Sequence, residues 1–466
     1  MRINRKGLLT AGLQGIVMLG VVMISGCADR DFVGGVVVGN DKAITLMETY
    51  SQTFIDIEPN PQGVTEFQID DITEGAAFDF TVVGNEHGCS VVDNAGEYDG
   101  FPNFGVKIQC EDENGQRWSG NPILRNQYTA DPTLLVVGDY LYLYAGRDET
   151  SFIHMQKSQC KNRCLTEALQ TAANFEITGI HIYRTQNMVD WEYVGPAVEA
   201  KDVPWMRQTW ASHILAKNGK YYLFTCSPAK DIITDVGVKS IISLLSGGGI
   251  AIGPSALTGV AVSDSPTGPF IDSGAPLVSY LTPGAIDEVM DPAAFTDDDG
   301  TTYLFYGGGG HAQYVELSDD LLSTDGPIME IKGINGSDPM PELTEATYVH
   351  KRNGVYYLSY SKSKIGEAPS PLAYATADNI HGPWTYQEDM LGAVDILTNH
   401  GAITTYKGKD YLFYHTGQLP GIHNGALSSN ATRAVSVQVL EYDDDGQIVF
   451  TKQTALGVPE LNNVEQ

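Results

Sequence analysis

Gly138-Asp-Tyr-Leu-Tyr-Leu-Tyr144 opens a pattern that the chain repeats four more times. The other copies are Gly219-Lys-Tyr-Tyr-Leu-Phe224, Gly300-Thr-Thr-Tyr-Leu-Phe-Tyr306, Gly354-Val-Tyr-Tyr-Leu-Ser-Tyr360 and Gly408-Lys-Asp-Tyr-Leu-Phe-Tyr414. In each, a turn glycine leads into a run of aromatic and branched residues, the pattern of a hairpin feeding a strand. The glycines follow one another at intervals of 81, 81, 54 and 54 residues. A strand unit repeated at such periods predicts an all-β chain with a five-bladed β-propeller, one copy per blade. Tyrosine-rich hairpins do recur singly in other β proteins, but five copies at paired spacings go beyond that.

Counting back seven to nine residues from each glycine gives Asp131, Ser212 with His213 beside it, Asp291, Glu345 and His400. If each blade begins with its innermost strand, these residues open the inner strands and converge at one mouth of the central channel. Three of the five positions are carboxylic acids, and the other two offer a histidine. After each hairpin come a polar strand and a Trp- or Pro-rich turn. Examples are Ile182 to Trp191, Val260 to Phe270 and Ala373 to Trp384, read as outer strands of the first, second and fourth blades.

The 466 residues can hold more than one domain. With 28 basic and 58 acidic residues, the formal charge is −30. Such a surface repels nucleic-acid phosphates, so no nucleic-acid partner is expected. The first 26 residues read as a targeting segment. Arg2, Arg5 and Lys6 precede a largely apolar run from Leu8 to Ile24, too short for a membrane span. Ile24-Ser-Gly-Cys27 resembles the lipobox of bacterial lipoproteins, which implies cleavage before Cys27 and lipid on its sulfur. Acyl chains there would anchor the protein to a membrane surface without spanning it. Ala28 after the cysteine points to the outer membrane.

Residues 27–118 lack the repeat and read as a linker and a small β module, with apolar alternation at Phe78 to Val82 and Phe104 to Gln109. The propeller is expected over 119–466. An exported chain permits disulfides. Cys89 with Cys110 and Cys160 with Cys164 are possible pairs, which leaves Cys226 single, although sequence does not determine connectivity. A zinc site at Cys160 and Cys164 lacks a completing Cys-His pair. Insertions at Arg147 to Gly179 and Ser227 to Thr258 stretch the first two periods, the second with the run Ser246-Gly-Gly-Gly249. They read equally as binding loops or as blade covers.

A family resemblance rests on the residues around the repeats. Asn121-Pro-Ile-Leu and Ala130-Asp-Pro132, followed by the first hairpin, resemble the opening of glycoside hydrolase family 43. Met290-Asp-Pro-Ala-Ala-Phe295 resembles its second acidic motif, and Glu345-Ala-Thr-Tyr-Val-His350 with Lys351 resembles its third. Asn399-His-Gly401 and Arg433-Ala-Val-Ser-Val437 resemble its last blade. The resemblance covers about residues 121–450 and not the N-terminal region. It implies a five-bladed propeller and inverting hydrolysis of arabinofuranosides, xylosides or related plant and algal glycans. Two departures stand out. Ala346-Thr347 follows the acid where Gly-Pro is common, and Trp210-Ala-Ser-His213 stands for Trp-Ala-Pro-Asp. The second bears on sugar preference more than on the chemistry.

The residue types suit that reaction. Inverting hydrolysis needs a carboxylate as base for water and a protonated carboxyl as acid for the leaving oxygen, roughly 6.5–9.5 Å apart. A third carboxylate nearby raises the acid's pKa by like-charge repulsion. Asp131, Glu345 and Asp291 fit these roles in that order. Asp297, Asp298 and Asp299 read as turn residues. Glu342 is a rival acid, but only Glu345 has the family's spacing to Lys351. Trp210, His213 and Arg433 are candidates for lining the sugar site, since indole faces stack on sugar rings and a guanidinium orients hydroxyls. Trp210 reads alternatively as ordinary core, the more frequent fate of a tryptophan. His400 matches the position where the family holds a hydrated ion, often calcium. It reads equally as a hydrogen-bonded core histidine, and calcium's preference for oxygen would leave most of its ligands to water. Two functions of different class follow: a surface-anchored glycosidase, including one acting on galactan-type sugars, or a carbohydrate-binding lipoprotein without turnover. Binding alone needs no acid opposite a base.

Overall fold

The computed structural model describes residues 116–461 apart from 120, 125–127, 149–174, 176, 230–254, 334–341, 363–369, 395–397, 417–432 and 455–456, and the backbone of six short strands before them. Those six are β1 (Ile44–Glu48), β2 (Phe54–Ile57), β3 (Val64–Ile69), β4 (Phe80–Val83), β5 (Ser90–Asp93) and β6 (Phe104–Gln109). They pair as two three-stranded sheets, in the orders β2-β1-β4 and β3-β6-β5. The signal segment, the lipobox Cys27, and Cys89, Cys110, Cys160 and Cys164 lie outside the described residues, as does the run from Ser246 to Gly249.

From Thr129 onward the chain forms five antiparallel sheets in succession, each an up-and-down meander. Blade one is β7 (Thr129–Val137), β8 (Tyr140–Asp148), β9 (Ile177–Thr185) and β10 (Glu192–Glu199). Blade two is β11 (Ser212–Lys217), β12 (Lys220–Pro228), β13 (Ala256–Ser263) and β14 (Ile271–Asp272), with β15 (Val278–Ser279) also on β13. Blade three is β16 (Ala293–Thr296), β17 (Thr302–Gly308), β18 (His311–Leu317) and β19 (Met329–Glu330). Blade four is β20 (Leu343–Arg352), β21 (Val355–Lys362), β22 (Leu372–Ala377) and β23 (Thr385–Leu391). Blade five is β24 (Ala402–Tyr406), β25 (Lys409–Thr416) and β26 (Ala434–Val439). The repeated hairpins are the first two strands of each blade. The polar stretches expected outside them begin in β9, β13 and β22, the third strands.

The first strands ring one axis. β7 packs on β11, β11 on β16, β16 on β20, and β24 returns to β7. Tyr348 of β20 donates its hydroxyl to the Ile403 carbonyl of β24 at 2.7 Å. The ring is closed by the segment that precedes β7. Ile123 and Thr129 donate their N–H groups to the carbonyls of Val435 and Arg433 at 2.8 Å each. Asn121 exchanges two side-chain hydrogen bonds with the Val437 main chain, both 2.9 Å. The start of the propeller therefore lies along the last strand of its final blade.

The repeat owes its composition to this stacking. A second strand lies between two neighbouring blades, so both of its faces are buried and alternate residues enter different interfaces. Leu141 and Leu143 pack with Phe413 and Val435 of blade five, while Tyr142 and Tyr144 pack with Ile214 and Leu223 of blade two. Tyr303 and Phe305 meet Leu358 and Tyr360 of blade four, while Leu304 and Tyr306 meet Tyr222 and Phe224 of blade two. Leu412 and Tyr414 join Tyr357 and Tyr374 between blades four and five. Aromatic and branched residues at every position fill these faces. At the far end of each hairpin the turn glycine is left-handed: Gly138, Gly219, Gly300, Gly354 and Gly408 have φ from 60° to 90°. No neighbouring atom crowds a side chain at any of the five, so backbone conformation alone selects glycine there.

Candidate active site

The site forms where inner strands begin and second strands end. Three backbone devices aim its carboxylates. Asp131 interrupts the β7–β8 register between Ala130 and Thr133 and takes a φ of 49°. Asp291 has a φ of 54° just before β16. Glu345 lies in the irregular start of β20, between register shifts, and Ala346 after it has a φ of 59°. Left-handed conformation away from glycine carries strain and clusters at functional positions, and bulges re-aim side chains.

Asp131 and Arg433 form the core of one side. Arg433 Nη1 donates to both carboxylate oxygens of Asp131 at 3.1 and 3.2 Å. His415 Nδ1 lies 3.2 Å from both the main-chain nitrogen and Oδ1 of Asp131. His415 Nδ1 takes the Asp131 N–H, and its Nε2 lies 3.1 Å from the Thr398 carbonyl oxygen. His400 Nδ1 stands 3.9 Å from Asp131 Oδ1. Burial by itself raises the Asp131 pKa, but the Arg433 charge, then His415 and His400, outweigh it and hold the carboxyl well below the usual range. The group is ionised at any pH the enzyme meets.

The other side is built from Asp291 and Glu345. Asp291 Oδ2 accepts the Ala346 N–H at 2.8 Å, which ties it to the residue after Glu345. Its own N–H points to Cys226 Sγ at 3.3 Å, and that thiol in turn donates to the Ala211 carbonyl at 3.4 Å. Cys226 is a free, buried thiol, as its unpaired count in the sequence suggests. Burial, then the charges of Glu345 and Asp131, raise Asp291 well above the usual carboxyl range. Burial, then Asp131, raise Glu345 to about 7. Neither has a cation within ion-pair distance among the described residues, so the pair retains a proton near neutral pH.

The other expected residues lie around these. Trp210 is 7% exposed, packed with Ile177, Ala211, Cys226, Ala256 and Met290, and its indole N–H donates to Gln208 Oε1 at 3.1 Å. It therefore backs the Cys226–Asp291 contact. His213 is buried with its ring 5.6 Å from that of Tyr348. Burial, then the neighbouring His400, lower His213 to about 4. Burial likewise takes His400 to about 4 against the pull of Asp131. Both rings are neutral over the working range. Arg433, expected to orient sugar hydroxyls, is 3% exposed and committed to two aspartates.

The second of these is Asp148, which sequence reasoning passes over together with His415, Cys226 and Phe175. Arg433 Nε and Nη2 meet Asp148 Oδ2 and Oδ1 at 3.0 and 2.8 Å, and the Arg433 N–H meets Oδ2 at 2.9 Å. The Phe175 ring lies 5.1 Å from the guanidinium carbon. A signal for three of the four was available. Asp148, Cys226 and His415 each follow the last aromatic of a repeat by one to four residues, where the second strand returns to the mouth.

Such a pocket, with one carboxylate held ionised and a second pair held partly protonated, can remove a proton from water on one side and give one to an oxygen on the other. Comparison with known proteins agrees with that chemistry. Residues 119–448 match the profile of glycosyl hydrolases family 43. A xylosidase/arabinosidase of Bacteroides ovatus is 29% identical over 365 residues, spanning 70% of this chain and 96% of its own length. A β-xylosidase of Xylanibacter ruminicola is 29% identical over 71% of this chain and 98% of its own. Among solved structures, a β-xylosidase/α-arabinofuranosidase from a compost metagenome, in complex with xylotriose and calcium-free, superposes with a TM-score of 0.56. It shares 28% identity and covers 72% of this chain and 98% of its own. With the profile spanning most of the chain and the propeller and its carboxylates in place, this protein belongs to glycosyl hydrolase family 43 and is a glycoside hydrolase.

Proposed function

We propose that the enzyme hydrolyses xylosyl or arabinofuranosyl residues from plant or algal oligosaccharides and polysaccharides, with inversion at the anomeric carbon. The observation that carries the mechanism is the opposite treatment of carboxylates in one pocket: Asp131 lies 3.1 Å from Arg433, while Asp291 and Glu345 have no cation beside them among the described residues. Asp131 acts as the base, taking a proton from the water that attacks the anomeric carbon. Glu345 gives its proton to the glycosidic oxygen as the bond to the leaving sugar breaks. Asp291 sets the orientation of the strand carrying Glu345 and, by like charge, keeps a proton on the pair. The names of the relatives support the choice of sugar. A binding protein without turnover is disfavoured, because binding needs no such division of protonation states.

The enzyme is further proposed to be exported and lipid-anchored at Cys27, on the outer membrane. Calcium is proposed in the channel at His400, whose neutral imidazole offers a lone pair. No three His, Cys, Asp or Glu side chains are gathered to hold a metal among the described residues, so water would supply most of its ligands. Such an ion would add positive charge to the channel.

The test is a screen of aryl β-xylosides and α-arabinofuranosides, followed by proton NMR of the first-formed anomer. An inverted product on one of these supports the reading. A retained product, or turnover confined to other sugars, overturns it.

A further inference from the structure

We infer that Asp148 is a positioning residue for hydrolysis: it grips Arg433 so that the guanidinium presents Nη1 to both oxygens of Asp131. The inference rests on the reading of Asp131 as the base.

The geometry is that of a clamp. Asp148 is fully buried, and its two oxygens take three donors from one residue: Nε, Nη2 and the main-chain N–H of Arg433. A planar fork meeting a planar carboxylate in this way fixes the guanidinium plane as well as its place. Binding the main-chain N–H fixes the root of the side chain too. Only Nη1 is then directed at Asp131, at 3.1 and 3.2 Å. The Phe175 ring against the guanidinium closes a further side. Asp148 and Asp131 both belong to blade one, at the end of β8 and in β7, whereas Arg433 stands just before β26 of blade five. Without the clamp, the only ion pair holding Arg433 among the described residues would be the one to the base itself, and Asp131 would follow every movement of a long side chain.

Asp148→Asn is isosteric but turns one oxygen into an amide donor facing a guanidinium donor, so the fork is broken without a cavity. The expected result with an aryl glycoside is a fall in kcat of roughly tenfold to a hundredfold, the cost of a misplaced reacting group. KM should stay within a factor of about two, because Asp148 does not reach the sugar. Arg433→Lys, whose single ammonium cannot serve both aspartates, should give a similar loss. The double variant should be no slower than the slower single one, as expected for residues acting through one contact. Rates are taken per folded molecule, judged from cooperative melting. If Asp148→Asn melts earlier but keeps its kcat, or raises KM with kcat intact, the inference is overturned. If Asp148→Asn does not fold, Arg433→Lys decides: an unchanged kcat overturns the inference, and a kcat loss at constant KM supports it. Asp131→Asn separates this failure from failure of the underlying reading. If it retains activity, the base assignment itself is wrong; if it is dead while Asp148→Asn is fully active, only the clamp is wrong.

Discussion

Asp131 and the Asp291–Glu345 pair interact electrostatically at one site, Asp131 and Asp291 buried and Glu345 partly so, yet they end in opposite states. Burial pushes every carboxyl toward its neutral form. On the Asp131 side that push is overcome chiefly by Arg433. On the other side it is reinforced by neighbouring negative charge. The protonation states are therefore not written into the residue types, two of which are the same. The difference comes chiefly from a single guanidinium that stands about 3 Å from Asp131 and, among the described residues, at ion-pair distance from neither Asp291 nor Glu345.

Breaking the Asp131 side should cost most. Asp131→Ala is expected to slow turnover by about 10²- to 10⁴-fold, the usual contribution of a positioned base. The loss should be the same for good and poor leaving groups, compared by kcat on nitrophenyl glycosides and on unsubstituted disaccharides. Glu345→Gln should divide those substrates: a comparable loss on disaccharides, and a much smaller one on nitrophenyl glycosides, which need little protonation. Equal loss on both would assign the acid elsewhere.

The pH profile tests the pair more finely. As the proposed acid, Glu345 would work when protonated, so kcat/KM should fall as pH rises through about 7. Asp291→Asn removes the competing charge and should move that limb down by about one pH unit, the scale of coupling in such pairs. A limb that stays in place means that burial and Asp131, without Asp291, raise Glu345. The acid limit has a different origin. Asp131 titrates too low to set it, but His213 and His400 are held at about 4 when folded and rise toward 6.5 when unfolded. The unfolded chain then binds more protons, so their contribution to stability is present above pH 6.5 and is lost as pH falls through 4. Loss of activity near pH 4 should therefore coincide with loss of the folded state, followed by circular dichroism.

Glu345 works in the opposite direction. Its folded pKa lies above its unfolded one, so its contribution to stability is full below about 4.5 and is lost as pH rises through 7. Glu345→Gln should gain on the wild type by about 3 kcal/mol between pH 4.5 and 8, measured by denaturant titration. No change in the difference across that range would contradict the raised pKa of Glu345. The smallest effect is expected at the far end of the blade. Gly354→Ala places a side chain at a φ of 84° in open space. It should cost about 1 kcal/mol and leave kcat and the pH profile as they were, which separates strain at a turn from strain at the mouth.

Much of the fold was legible because it is local. A left-handed turn asks for glycine within the hairpin, and a strand buried on both faces asks for apolar residues at every position. Both demands are visible in any ten residues of the repeat. The uneven offsets of seven to nine residues before the glycines have a local cause as well. The β20 register slips around Glu345, and the turn from Asp297 to Thr301 is long. What position alone could flag, but not assign a role to, was which residues the second strands bring back to the mouth, since their ends carry no motif of residue type. Cys226, His415 and Asp148 resemble any strand-terminal polar residues until the blades are laid around an axis.

The sequence by itself determined the number of blades, the order of their strands and the three carboxylates that open them, because sterics and side-chain alternation act between near neighbours in the chain. Only the tertiary structure shows why one carboxylate is held ionised while the other two are pushed toward their neutral forms. Arg433 lies 302 residues from Asp131 and 285 from Asp148 along the chain. Electrostatic interaction depends on distance through space, and ring closure brings these groups to within about 3 Å of each other.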